Sequence, residues 1–399
     1  MSYYPRELVD ELMNSIPLED VARHYGDNPK GRGKNIGIHC PCCDRDQSHC
    51  HTNNASYGKA FLFQCKSPQC EAKGSTIDYI RYKEGNGVKE AIRFQDAVKK
   101  LAEIAHFPLE QKLEAYRPNA EKQAAYTKQQ KALQVAAKFY SEHSHPYLNS
   151  RGISSETQKN NKIGFAPGNC LKAYMNKLDF DDSILEEVGL IHRVGNNLVD
   201  RFQNRVIFPV FDTQGKVIDL YGRSINPNDR LPHLYLRGQN IAYGFEKLDP
   251  KKPVLWVESL VNKLSLEEMG YSNVVAVGGA TKFSNYHVNL TRDSGSKEHL
   301  FLYDGDSGGR KGALEAGEQL VPIGCAVKIG RVPDELDVND LLCQGDIGTK
   351  QITSILAQAQ PFNEAKAFAL LEEIDPNIIY KFLAQKKTLE RKQQLAQTR

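Results

Sequence analysis

From Val254 onward the chain alternates between short apolar runs and longer amphipathic ones, and this alternation constrains the fold more than any other feature. "VLWVE" reads as a buried strand, "LVNKLSLEEMG" as a helix, "NVVAVGG" and "HLFLYD" as strands, "GRKGALEAGEQLV" as a helix and "CAVKIGRVP" as a further strand. Apolar strands separated by helices predict a parallel sheet with right-handed crossovers. Ligands bind such a sheet beyond the carboxyl ends of its strands. Acidic residues stand at those ends. Glu258 closes "VLWVE", Asp304 closes "HLFLYD" with Asp306 just after it, and Asp334, Asp337 and Asp340 follow the last strand in "DELDVNDLL".

The loop "DGDSGGRKGALE" admits other readings. As an EF-hand it would place Asp304, Asp306, Gly309 and Glu315 at loop positions 1, 3, 6 and 12. Gly308 then falls where an oxygen ligand is needed, and a strand precedes the loop where a helix is required. "GGRKG" lacks the spacing of a P-loop. A bare turn remains as the plain alternative. Carboxylates converging on one sheet edge repel unless a hard cation neutralises them, and Mg²⁺ suits carboxylates shared with substrate phosphates. Such acids could share magnesium (or manganese), with the loop glycines allowing phosphates to approach. That equipment serves phosphoryl or nucleotidyl transfer, or the hydrolytic reverse.

Nine cysteines occur, and six of them fall between Cys40 and Cys70. Clustering of this kind without a secretion signal points to a reducing cytoplasm and a metal rather than to disulfides. Cys40 and Cys43 form one short pair and Cys65 and Cys70 a second, so the four thiolates can close a tetrahedron around one structural Zn²⁺. Cys42, Cys50, His39, His49 and His51 are surplus, and one ligand could be exchanged for one of them. Phe61, Phe63, Lys59 and Lys66 on the ribbon suit stacking on single-stranded bases. A purely structural zinc with no substrate contact is the alternative.

Between these blocks "NRVIFPVFD", the turn "TQGK" and "VIDLYGRSI" predict a hairpin. The region carries Arg201, Arg205, Lys216, Arg223, Arg230 and Arg237 against Asp212, Asp219 and Asp229. With Asn204, Tyr221, His233 and Tyr235 these can line a groove for a nucleic-acid backbone and nucleoside triphosphates; the charges alone would equally fit a solvated sheet face. The net charge of +3 is too small to settle the matter. No apolar run is long enough to span a membrane, and the N-terminus reads as an amphipathic helix without a signal peptide's apolar centre.

Three blocks then carry a resemblance. "VESLVNKLSLEEMG", "VAVGGATKF", "FLYDGDSGGRKGA" and "DVNDLL" resemble the Toprim domain of bacterial DnaG-type primases, topoisomerases and some nucleases. "YLNSRGISSETQKNNKIGFAP" with "RFQNRVIFPVFDTQGKVIDLYGRSI" and "PHLYLRGQNIAYGFEKL" resembles the primase RNA-polymerase core, and "GSTIDYI" after the cysteines is similar to text following the primase zinc ribbon. The resemblance implies a bacterial or phage DnaG-type primase, an enzyme making RNA primers on single-stranded DNA from ribonucleoside triphosphates. Its catalytic residues would be Glu258, Asp304 and Asp306, with Glu258 a general base or a further metal partner, and the ligands of magnesium (or manganese) would come from Glu258, Asp304, Asp306 and Asp337. Arg201, Asn204, Arg205, Arg223 and Arg237 would bind template and nucleotides. A replicative helicase is a further implied partner; the short text after the Toprim-like block points to a phage or mobile-element source. The family has glycine after its glutamate and aspartate four positions on, where this chain has Ser259 and Asn262. A Toprim nuclease and a non-catalytic nucleic-acid-binding homologue are the alternatives.

The expected fold is α+β and multidomain. A zinc ribbon with helices spans 1–108 and a linker 109–135. A mixed α/β basic subdomain spans 136–249, a Toprim parallel sheet 250–345 and a short helical segment 346–399.

Overall fold

The structure, a computed structural model, describes residues 4–31, 36–53, 62–70, 72–115, 120–238 and 241–374. The chain divides into two compact units, Met1–Gln123 and Ala124–Arg399. No helix among the described residues is long and apolar enough to cross a membrane.

In the first unit, helices α1 (Arg6–Ser15), α2 (Leu18–His24), α3 (Thr76–Glu84), α4 (Phe94–Ile104) and α5 (Leu109–Ala115) accompany strands β1 (Cys50–Asn53), β2 (Leu62–Cys65) and β3 (Lys73–Ser75). The strands form an antiparallel sheet in the order β1-β2-β3. Leu8, Val9, Leu12 and Met13 recur at helical spacing on α1, as do Ala97, Val98, Leu101 and Ala102 on α4, so each helix turns one apolar stripe inward. A capping box between Ser75 and Asp78 starts α3 directly after β3.

The second unit begins within α6 (Ala120–Ser141), whose Ala132, Leu133, Ala136 and Ala137 pack into its core. The expected linker is therefore helical along most of its described length. Leu109 of α5 lies in the first core, and α6 buries Leu133, Phe139 and Tyr140 beside its alanines, in the segment "QKALQVAAKFYSEHS" that reads as a helix opening the second unit.

After α7 (Ser155–Asn160), β4 (Gly164–Ala166), α8 (Leu171–Asn176), α9 (Asp182–Val188) and the hairpin β5 (Ile191–Val194)–β6 (Asn197–Asp200) comes the expected pair β7 (Arg205–Phe211) and β8 (Val217–Ser224), then β9 (His233–Tyr235). These give a four-stranded antiparallel sheet, β4-β7-β8-β9.

The alternating text folds as β10 (Val254–Val257), α10 (Leu260–Glu268), β11 (Val274–Ala276), α11 (Asn285–Ser294), β12 (Glu298–Phe301), α12 (Ser307–Leu320), β13 (Ala326–Ile329), α13 (Val338–Cys343) and α14 (Asp346–Ala357). Its sheet runs β11-β10-β12-β13, all parallel, and ends in an antiparallel edge strand β14 (Gln360–Pro361), followed by α15 (Phe362–Ile374). The segment expected as a helical tail thus also supplies a strand; its last part, 375–399, lies outside the described residues. Leu255, Val257, Leu300 and Leu302 face one core, which they share with Val206, Phe208 and Tyr221 of the antiparallel sheet. Val254, Trp256, Phe301 and Tyr303 face the other. This period of two on strands buried on both faces explains why they read as continuous apolar runs.

Two histidines in the second core depend on being neutral. Trp256 Nε1 donates to His299 Nδ1 at 3.1 Å, and His287 accepts at Nδ1 from the Ser284 N–H at 3.1 Å while Nε2 donates to the Ile241 carbonyl at 2.7 Å. Burial lowers both pKa values to about 4. A base whose folded pKa is depressed contributes stability that is complete above its unfolded value near 6.5 and is lost as pH falls towards 4, because the unfolded chain then binds more protons. Each ring should account for roughly 3 kcal/mol across that window. The expected result is a steep loss of stability between pH 6.5 and 4, followed through the fluorescence of Trp256, the chain's one tryptophan. His299→Gln, which keeps an acceptor for the indole, should flatten the curve; a wild type already flat there would contradict the assignment.

Candidate active site and zinc centre

Strands β10 and β12 are hydrogen-bonded neighbours with Trp256 opposite Phe301, so their carboxyl ends present Glu258 and Asp304 side by side. The chain leaves β10 towards β11 on one flank, and β12 lies on the other. This reversal is the topological switch point at which open parallel sheets bind ligands.

Backbone contacts fix each acid. The Glu258 carbonyl accepts from the Gly278 and Gly279 N–H groups at 2.9 and 3.0 Å, and its carboxylate accepts from the Ala280 backbone. Asp306 caps α12, accepting from the Gly309 N–H at 2.6 Å. Asp337 caps α13 in a reciprocal box with Asp340. The Gly305 N–H donates to the Leu336 carbonyl at 2.8 Å, which stitches the Asp304–Asp306 loop to the one bearing Asp337. Asp334 instead pairs with Arg310 at 2.9 Å.

Two glycines of this loop are required by packing. A Cβ on Gly305 would lie 1.9 Å from the Pro333 carbonyl oxygen, and one on Gly309 would lie 2.3 Å from that of Asp304. Both are glycine because protein backbone occupies the space.

The electrostatics of the cluster are unfavourable as they stand. Burial first, then the charges of Glu258, Asp337 and Asp306, push the Asp304 carboxyl up to about 7. Burial also raises Glu258, against the Ala280 N–H, with Asp306 and Asp337 adding to the rise. Glu258 Oε2 is buried without a hydrogen-bond partner. Hard oxygen donors, mutual repulsion and one orphaned carboxylate oxygen together fit a divalent cation of the magnesium type.

Asn262 belongs to this site. Ser259 caps α10 through the Asn262 N–H, and the fully buried Asn262 side chain donates from Nδ2 to Asp304 Oδ1 at 2.7 Å. The departure from an acid at this position therefore replaces a repulsive neighbour of Asp304 by a donor.

The expected nucleic-acid residues divide. Arg205 is buried, its guanidinium donating to the Gly222 carbonyl and pairing with Asp229 at 2.7 Å; it holds the sheet to the 229 turn and does not face outward. Arg223 is half-buried, with Nε on the Tyr147 hydroxyl at 3.3 Å and Nη1 on His233 Nε2 at 2.6 Å. Since the guanidinium must donate, His233 Nδ1 carries the proton shared with the Tyr221 hydroxyl at 2.7 Å. Tyr235 donates to the Gly278 carbonyl at 3.4 Å, which sets this face beside the loop that pins Glu258. Arg237 and Asn204 are exposed and Arg201 is half-buried. Asn204 adopts a left-handed φ of 52°, and Asp219 accepts from the Arg237 and Gly238 N–H groups, fixing that turn.

Sequence reasoning missed Arg151, which bonds Asn339 and bears electrostatically on Asp337, and Arg310, whose Nη1 donates to the Gly305 carbonyl at 2.6 Å. Both sit inside text already singled out, "NSRG" and "SGGRKG"; only contacts across the fold distinguish them from surface charge.

In the first unit the Sγ atoms of Cys40, Cys43, Cys65 and Cys70 all lie within 4.8 Å of one another. Cys40–Cys70 and Cys43–Cys65 are 3.6 and 3.9 Å apart, against a sulfur–sulfur edge of roughly 3.8 Å for tetrahedral Zn–S bonds. Four soft thiolates at that spacing fit zinc. The surplus histidines are otherwise engaged: His39 with Asp27, His49 with Asp46, His51 with the Ser48 carbonyl. Phe63 does not offer a stacking face. It is buried edge-on to Tyr79 at 5.5 Å. Lys66 is exposed, while Lys59 and Phe61 lie outside the described residues.

Comparison with known proteins follows the same order of blocks. The N-terminal domain of the DNA primase catalytic core matches residues 129–247, and a Toprim-like domain matches residues 255–342. A DNA primase of Lactococcus lactis is 29% identical over 358 residues, covering 84% of this chain and 53% of that protein. This chain thus spans about half the length of the curated relatives it matches. A DNA primase domain from Pseudomonas aeruginosa is 28% identical with a TM-score of 0.52, covering 61% of this chain and 83% of that one. The Aquifex aeolicus primase, in a structure of its zinc-binding and RNA polymerase domains, shares the fold at 24% identity and a TM-score of 0.54, covering 90% and 86% of the two chains.

Two outcomes are expected. Asn262→Asp should lower the melting temperature in chelator by several degrees, since a buried hydrogen bond becomes a like-charge contact costing about 2 kcal/mol. Mg²⁺ should restore it by more than it raises the wild type; equal responses would show that the contact carries no such weight. Cys65→Ser should bring bound zinc, by elemental analysis, well below one per chain and unfold the first unit selectively, because metal binding and folding of such a site are one equilibrium.

Proposed function

We propose that this chain, which matches the N-terminal domain of the DNA primase catalytic core and a Toprim-like domain, synthesises short RNA primers on a single-stranded DNA template by metal-dependent nucleotidyl transfer. The observation that carries the proposal is the convergence of Glu258, Asp304, Asp306 and Asp337 at the β10/β12 switch point, beside a face bearing Arg223, His233 and Tyr235.

In this reading Asp304 and Asp306 hold the cation, with Asp337 and Glu258 adjoining. The bound cation would neutralise charge developing on the leaving pyrophosphate. The residues of the chain position everything else. Glu258, with Oε2 unpartnered, takes the proton of the attacking 3′-hydroxyl or completes the ligand set. Asn262 keeps Asp304 oriented through its Nδ2 bond. Arg223, backed by Tyr147 and His233, meets the phosphates of an incoming ribonucleoside triphosphate, and the exposed Arg237 and Asn204 with Arg201 contact the template. Arg205 acts beneath them, as the buried tie to Asp229. The zinc unit, held by Cys40, Cys43, Cys65 and Cys70, grips or selects template.

De novo RNA synthesis on defined single-stranded templates, with Mg²⁺ or with chelator, tests the assignment. Asp304→Asn and Glu258→Gln should each lower synthesis by at least about a hundredfold while template affinity stays within about twofold. Synthesis that survives either substitution would sink the proposal. Strand cleavage without added triphosphates would replace it by a nuclease, and template binding with no incorporation by a non-catalytic binder.

A further inference from the structure

Away from the carboxylate edge, the second unit carries a concave surface that the proposed reaction does not use. A cavity of ≈ 570 Å³ is lined by the end of α6, the chain that follows it, α7 and the start of β4, with His143, His145, Lys159 and Lys162 on its walls. A second cavity, lined by Lys138 and Phe211, has Ser141 and Lys162 in common with the first, so the two lie side by side along one surface. No carboxylate lines either part. Lys138, Lys159 and Lys162 form no ion pair among the described residues, whereas Lys128 and Lys172 of the same unit pair with Asp181 and Asp182 at 3.1 Å.

Lys162 adds an independent observation. It follows α7 with φ 53°. Its N–H reaches the Lys159 carbonyl at 3.0 Å, and the Ile163 N–H reaches that of Gln158 at 2.9 Å. This closing geometry places a left-handed residue where glycine is the ordinary choice, and a side chain there costs about 1 kcal/mol. Helix termination does not call for a lysine. Its ammonium stands over the Phe211 ring, 5.0 Å from the centroid, at the junction of the two cavities. A strained backbone position thus carries a cation to the middle of a groove that lacks counter-charge.

We propose that this groove holds the phosphate backbone of a single strand of nucleic acid, a contact additional to the face bearing Arg223. The proposal deepens the primase reading, on which the choice of nucleic acid over other polyanions rests. Cations spread along two adjacent, open cavities match successive phosphates better than one nucleotide, which would call for donors converging in an enclosed pocket.

The test is fluorescence anisotropy of the full chain with a labelled oligodeoxythymidylate across a salt series. Replacing Lys138, Lys159 and Lys162 together by glutamine should weaken binding roughly tenfold to a hundredfold at about 0.1 M salt, and reduce the slope of log K against log salt by about 2. Lys159→Gln alone, at an exposed helix position, should reduce the slope by about 0.7 with an unchanged melting temperature, which guards against misfolding of the triple variant. Unchanged affinity and slope in both variants would overturn the proposal. So would loss of affinity for labelled ATP with oligonucleotide binding intact, which would mark a nucleotide pocket. Asp304→Asn should leave the slope unaltered, so a groove that binds in a chain making no primers separates failure of the primase reading from failure of this one.

Discussion

Repulsion among Glu258, Asp304, Asp306 and Asp337 is the constraint around which the second unit is arranged. Burial and the neighbouring charges push Asp304 up to about 7, so these carboxylates by themselves oppose their own assembly. The opposing forces are supplied by elements that bear no charge. The parallel register of β10 and β12 sets the distance between the first two acids, helix caps aim Asp306 and Asp337, and glycines let the 305–309 loop press against Pro333 and its own backbone. The Trp256–His299 hydrogen bond ties the same two strands together inside the core. Such a scaffold fits a divalent cation, and in the first unit four thiolates in place of carboxylates fit zinc in the same way.

Much of this was legible in the sequence because period and position carry it. Strict alternation from Val254 gave the parallel sheet, and the acids stood at strand ends where ligands bind. The Cys40–Cys43 and Cys65–Cys70 pairs were legible for a related reason: short spacings within a chain fix local geometry whatever the tertiary fold. Among the alternative ligands the three histidines bond Asp27, Asp46 and the Ser48 carbonyl, whereas Cys42 and Cys50 stay beside the four, hydrogen-bonded to Cys70 and Cys40.

What escaped depended on long-range partners. The helix opening the second unit was legible in "QKALQVAAKFYSEHS", where Leu133, Phe139 and Tyr140 join the alanines of the buried face, whereas its polar first turns read as linker or exposed helix; β14 is too short to show a period. Phe63 looked like a stacking surface until Tyr79 was found against it. Arg205 and Arg223 are indistinguishable as letters on neighbouring strands, yet one is buried against Asp229 and the other is backed by a tyrosine and a histidine on a half-open face. Charge counting along the chain cannot make that division, because burial and partner decide whether a guanidinium is mortar or probe.

Asn262 shows how far a departure from family pattern can be read physically. An acid in its place would add a further charge against Asp304, in a pocket with no exposure. The amide instead contributes a donor at 2.7 Å, while its own Oδ1 is left without a partner. Leaving a buried acceptor unpaired is itself costly, so the exchange is reasonable only if fixing Asp304 matters more than satisfying Asn262. The unpaired Oδ1, like Glu258 Oε2, is an oxygen held in the cluster with nothing opposite it. The neutral amide thus lowers the charge gathered around Asp304 while keeping an oxygen at this position.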